Sequence, residues 1–221
     1  MAISKISLKA EVLDANAPVA NEINRYLSER GVFCVNVIGG AGAGKTSALI
    51  GIIKRLGLPN VHVIEGDIAG DIDTETLRKL GVVAYQLHTN GECHINAPTM
   101  KEILRENEPK EGSILFVENI GNLVCPAEFV IGEHRKMLVS SAPEGSDKPY
   151  KYPHSFEVVQ AVVLTKADLA PYVKFDRAYY DKGVHALNPT APIFETSAAQ
   201  DTGFEAVAEW ILAERKKLSL D

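Results

Sequence analysis

The residues Gly39-Gly40-Ala41-Gly42-Ala43-Gly44-Lys45-Thr46 combine a glycine-rich run with a terminal lysine and hydroxyl. Their spacing is Gly-x-x-x-x-Gly-Lys-Thr, the pattern of a phosphate-binding loop. The glycines let the backbone turn its N–H groups inward around a di- or triphosphate, where side chains would block approach. Lys45 is expected to reach the outer phosphates and the Thr46 hydroxyl to coordinate Mg2+. A helix opening at Ser47 would aim its positive N-terminal end at the same phosphates. The stretch implies nucleoside triphosphate binding by Gly39 to Ser47.

Leu164-Thr165-Lys166-Ala167-Asp168 ends an apolar run with Lys-x-Asp. An Asp carboxylate accepts N1–H and N2–H of guanine together but meets acceptors on the matching edge of adenine. The Lys166 stem can pack over the base. Thr196-Ser197-Ala198 supplies a second loop that fits a guanine pocket, with Ser197 and Ala198 as contacts. Guanine-binding loops usually read Asn-Lys-x-Asp, so Thr165 is a departure that weakens the expected loop support. Glu118-Asn119-Ile120-Gly121 occupies the position of a nucleotide switch, with Glu118 near Mg2+ and the Gly121 N–H sensing the γ-phosphate. Asp67 is a further Mg2+ candidate, and Asp73 either contacts the metal, orients water or caps a helix. No glutamine follows Gly121, which predicts slow intrinsic hydrolysis of GTP to GDP and phosphate.

Gly91-Glu92-Cys93-His94 and Cys125-Pro126 form another potential constellation. Two thiols and an imidazole suit Ni2+ or Zn2+, provided that both loops leave the same sheet edge. Cys34 lies in an apolar run and reads as a core residue.

These elements require a frame that presents several loops along one edge. Val32–Ile38, Val61–Ile64, Val82–Leu87, Ser113–Val117, Met137–Val139, Ala161–Leu164 and Pro192–Phe194 are apolar strand runs. Helical patterns lie near Asp14–Arg30, Ser47–Leu56, Thr74–Leu80, Pro98–Asn107, Val173–Leu187 and Phe204–Leu218. The alternation predicts an α/β P-loop NTPase fold, with a mostly parallel sheet of about seven strands covered by helices on both faces. Ala142 to His154, rich in Pro, Gly and charge, is expected to be a mobile surface loop. The 221 residues read as one domain with an N-terminal helix.

Formal net charge is −6, which argues against a nucleic-acid partner. The lysine-interrupted start lacks a signal-peptide core, and no apolar run is long enough to span a membrane. Three cysteines do not suggest a disulfide framework, and the expected location is the cytoplasm.

Gly91-Glu92-Cys93-His94-Ile95-Asn96-Ala97 and Val117-Glu118-Asn119-Ile120-Gly121-Asn122-Leu123-Val124-Cys125-Pro126-Ala127-Glu128-Phe129 closely resemble the HypB family of hydrogenase nickel-incorporation GTPases. The resemblance runs from the N-terminal helix to Thr196-Ser197-Ala198. It implies a GTPase of the nucleotide-dependent dimer class that acts in [NiFe]-hydrogenase maturation. Its metal site falls on Cys93, His94 and Cys125. It further implies a GTP-dependent homodimer working with another nickel-insertion accessory protein and the hydrogenase large subunit. The chain has neither a histidine-rich storage stretch nor an N-terminal cysteine motif, so high-capacity nickel storage is not expected. Two other classes would use the same motifs differently. A small-molecule P-loop kinase would pass phosphate to a metabolite, and a plain metal-binding module would keep nucleotide as a structural element.

Overall fold

The computed structural model describes residues 5–57, 60–66, 77–87 and 92–220. In chain order its strands are β1 (Phe33–Gly39), β2 (Val61–Glu65), β3 (Val83–Gln86), β4 (Ile114–Glu118), β5 (Arg135–Ser141), β6 (Ala161–Thr165) and β7 (Ile193–Glu195). They pair in the order β3-β2-β4-β1-β5-β6-β7, and every pairing is parallel. The helices are α1 (Lys5–Glu29), α2 (Lys45–Leu56), α3 (Ala97–Glu106), α4 (Cys125–Glu128), α5 (Lys148–Lys151), α6 (Pro153–Glu157), α7 (Arg177–Leu187) and α8 (Phe204–Lys217).

The central strands are near-continuous apolar runs because both sheet faces are covered. On one face, Phe33, Val35 and Val37 of β1 pack with Leu49 and Ile52 of α2 and Val207 and Ile211 of α8. On the other, Cys34 joins α1 and α3 through Leu27 and Met100, while Ile38 joins Phe156 of α6 and Tyr180 of α7. The β1 strand lies between β4 and β5, where connections leave in opposite directions. The crevice beyond its C-terminal end is where open α/β sheets bind ligands.

The sheet agrees with the predicted fold, but several elements differ in extent. The N-terminal helix begins at Lys5 and continues through Pro18. The predicted helix at Val173 starts only at Arg177, because the Asp176 side chain caps it by accepting from Tyr179 N. The Thr74–Leu80 helix lies partly outside the described residues, with 77–79 helical.

The expected loop Ala142–His154 is instead ordered. It forms a 3-10 turn at Ala142–Glu144, then α5 and the start of α6. Glu144 Oε2 accepts from both Ser141 N and Ser141 Oγ, and prolines occupy the first turns of α5 and α6, where a missing N–H costs little. Within it Ala142 and Pro149 are buried, while Tyr150, Lys151 and His154 stay at the surface, so the segment is superficial but helical.

Candidate functional site

Gly39 closes β1 and Lys45 opens α2, which sets the phosphate loop at the mouth of the central crevice. Gly44 holds φ +89°, a left-handed conformation that a side chain resists. It precedes α2 without a side-chain cap, leaving the first-turn N–H groups to serve an anion. Lys45 is buried against the loop, with Nζ 3.4 Å from Gly40 O. Ala41, Gly42 and Ser47 lie at or near the surface of this loop, while Ala43 is buried beneath it.

Thr46 Oγ1 donates to Glu118 Oε1 at 3.0 Å, so the two groups expected to share a divalent cation face one another. Glu118 is 2% exposed at the C-terminal end of β4 and lies opposite Glu65 of β2. A hydroxyl and carboxylates form a hard oxygen donor set, which fits Mg2+. Asp67 and Asp73 lie outside the described residues. Gly121 packs directly on the phosphate loop: a Cβ there would sit 2.9 Å from Ala41 Cα.

The Lys-x-Asp loop is bound to the phosphate loop at two points. Thr165 Oγ1 donates to Ala43 O at 2.5 Å, and Lys166 Nζ donates to Gly42 O at 2.8 Å. Thr165 therefore supplies the support that its departure from Asn was expected to weaken. Ser197 Oγ donates to Asp168 Oδ1 at 2.5 Å and fixes the carboxylate. A cavity of about 340 Å³ opens between Ser47, Thr165, Lys166, Asp168 and Ala198. It is large enough for a purine and places the Asp168 carboxylate on its wall.

At the neighbouring strand ends, the ligand atoms of Cys93, His94 and Cys125 lie within 4.8 Å of one another. Cys93 Sγ is 3.4 Å from His94 Nδ1. A hydrogen bond with Cys125 holds the Cys93 thiol above its ordinary pKa, and burial pushes His94 below its own, favouring neutral imidazole. His94 also stacks on Phe129, with ring centroids 4.0 Å apart. Asn122 Nδ2 donates to Cys93 O at 3.3 Å, tying the two arms.

Sequence reading missed the polar groups beneath these arms. Asn119 is fully buried and its Oδ1 accepts from Ile95 N and Ile120 N. Lys136 Nζ, also buried, donates to Pro126 O, Ala127 O and Phe129 O. Asn36, a polar residue interrupting the apolar run Val32–Ile38, was the available signal; Lys136 precedes the run Met137–Val139 and gave none.

A phosphate loop on the central strand of an all-parallel sheet, flanked by a Lys-x-Asp pocket, defines a P-loop nucleotide-binding protein. Residues 33–195 match the family model described as CobW/HypB/UreG, nucleotide-binding domain. The hydrogenase maturation factor HypB of Rhizobium leguminosarum bv. viciae is 37% identical over 207 residues, 93% of this chain and 69% of that protein. The crystal structure of hydrogenase maturation factor HypB from Archaeoglobus fulgidus superposes with a TM-score of 0.84 at 32% identity, covering 93% of this chain and all of that one. HypB from Helicobacter pylori in complex with nickel also gives 0.84, at 30% identity, over 92% of this chain and 96% of that one. The chain belongs to the CobW/HypB/UreG family, on its HypB branch.

Proposed function

We propose that this chain is a GTP-hydrolysing switch that helps deliver nickel to [NiFe]-hydrogenase, with its nucleotide state coupled to the Cys93/His94/Cys125 site. One observation carries the reading. A single segment begins at Glu118, bonded to Thr46 of the phosphate loop, and reaches Cys125 at the thiol cluster. Movement at one end must be felt at the other.

Asp168 accepts N1–H and N2–H of guanine, while Ser197 holds the carboxylate and Lys166 covers the base. Lys45 and the loop N–H groups steady the β- and γ-phosphates. Thr46 and Glu118, with Asp67 as a further candidate, would hold Mg2+, which when bound would offset phosphate charge; Asp73 is a candidate for orienting the water. Attack of water at the γ-phosphorus breaks its bond to the β–γ bridging oxygen and gives GDP and phosphate. Slow turnover follows from the absence of a glutamine beyond Gly121.

Two thiolates and an imidazole take nickel as cargo, and zinc suits the same ligands. GTP-dependent pairing with a second copy is supported by Leu169, Tyr172 and Val173, which expose apolar surface immediately after Asp168. Family membership supports work beside a nickel-insertion accessory protein and the hydrogenase large subunit. Among the described residues no helix is long and apolar enough to cross a membrane. The reading places the chain in the cytoplasm, and its net charge of −6 argues against a nucleic-acid partner.

Competition between GTP and ATP, followed by a phosphate-release assay, tests the enzymatic part. GTP is expected to bind much more tightly and to be hydrolysed without an acceptor, with Lys45→Ala removing most activity. Equal affinity for the two nucleotides would refute the guanine assignment. Hydrolysis that required a metabolite acceptor would favour the kinase class.

A further inference from the structure

We propose that Lys136 and Asn119 are positioning residues for the thiol cluster, linked by one buried hydrogen-bond chain that grips both of its arms. This inference rests on the reading of Cys93, His94 and Cys125 as a metal site. It adds a mechanism for holding them in register with the nucleotide switch.

The chain can be followed donor by donor. Asn119 Oδ1 accepts from Ile95 N at 3.1 Å, one residue beyond His94, and from Ile120 N at 3.0 Å within the switch segment. Asn119 Nδ2 donates to Asn36 Oδ1 at 3.2 Å. Asn36 Nδ2 in turn donates to Glu133 Oε1 at 3.1 Å, and Glu133 Oε2 accepts from Ile131 N at 2.7 Å. Glu133 Oε1 lies 3.5 Å from Lys136 Nζ. Lys136 Nζ then donates to Pro126 O at 3.0 Å, Ala127 O at 3.2 Å and Phe129 O at 3.0 Å. Asn36 and Lys136 are register partners across β1 and β5, so both project from the same sheet face.

The placement of Lys136 has a physical consequence. Lys136 is 4% exposed, and a buried charge persists only where it is paired and hydrogen-bonded. Three of its acceptors are carbonyls of the short stretch that starts at Cys125. That stretch contains one turn of helix, too short to hold its own orientation. Lys136 therefore aims α4, and with it the Cys125 thiol. Asn119 does the same for the opposite arm through Ile95. Its own backbone lies between Glu118 and Gly121, so a rearrangement of the switch around the γ-phosphate pulls on the Ile95 contact. The rigid chain from Asn119 to Lys136 carries the displacement to the Cys125 arm.

Nickel titration of the full chain, read by the sulfur-to-nickel charge-transfer absorption, tests the proposal with Lys136→Met. GDP affinity serves as the check on folding. The expected result is nickel affinity weakened about tenfold and a displaced charge-transfer band, with GDP affinity retained. Glu133→Gln, a milder change to the same chain, is expected to act in the same direction and carries the test if Lys136→Met lacks a cooperative unfolding transition. Wild-type affinity and spectrum in both variants would overturn the positioning role. Parallel loss of GDP and nickel binding would overturn it too, by reducing Lys136 to a support of the whole fold. A wild-type spectrum without any thiolate band, unchanged by Cys93→Ala plus Cys125→Ala, would instead refute the metal site itself.

Discussion

Thr165 shows how one hydroxyl can replace an expected amide. Its Oγ1 reaches Ala43 O from the end of β6, beneath the phosphate loop. Thr165→Val keeps the shape but leaves a buried carbonyl without its donor, at a cost of about 1–2 kcal/mol. The urea midpoint of unfolding is expected to fall accordingly, since this contact is present with or without nucleotide. Asp168→Asn removes a charged acceptor and is expected to reduce the preference for GTP over ATP in competition binding. The identities of Lys45, Thr46, Lys166 and Asp168 were legible in the sequence because spacing alone defines those motifs. The compensating bond from Thr165 was not, because its acceptor lies on a loop more than a hundred residues away in the chain.

Between elements, close approach and charge burial matter more than motif. Gly121 touches Ala41, and Gly121→Ala would force backbone apart at 2.9 Å. That substitution is expected to weaken GTP-analogue binding more than GDP binding, because the switch then cannot close on the γ-phosphate. Equal losses for both nucleotides, measured by titration, would contradict this. His134 joins α1 to the sheet: Nδ1 accepts from Cys34 N, and Nε2 pairs with Ser28 Oγ. Burial lowers its pKa from 6.5 to about 4, so the folded chain favours the neutral ring. This contribution is fully present above about pH 6.5 and is lost as pH falls towards 4, because the unfolded chain takes up the proton first. The loss amounts to about 3 kcal/mol at most. Urea midpoints are expected to fall across that window, and His134→Gln should flatten the slope. The strands were legible from apolar runs, and α2 from its spacing. The helical turns within Ala142–His154 were not, since capping by Glu144 and burial of Pro149 depend on partners brought in by folding.

Across the whole molecule, the parallel sheet brings every proposed site residue that the structure describes to one edge. That much followed from alternating strand and helix patterns. The sequence also indicated that the Cys93 and Cys125 loops could meet, because both follow strands at that edge. It could not reveal that Asn36, Asn119, Glu133 and Lys136 form a polar seam on a sheet face otherwise packed with apolar side chains. Such a seam resists independent movement of the loops it touches. Nucleotide state and metal affinity are therefore expected to be linked, and linkage must run equally in both directions. Calorimetric titration of Ni2+ into the chain loaded with GDP, and then with a non-hydrolysable GTP analogue, measures that link. The expected result is a nickel affinity that differs about fivefold or more between the two states, with the same factor recovered when nucleotide is titrated against metal-loaded protein. Indistinguishable nickel affinities would contradict a metal-delivery switch and leave two sites that share a sheet edge without sharing energy.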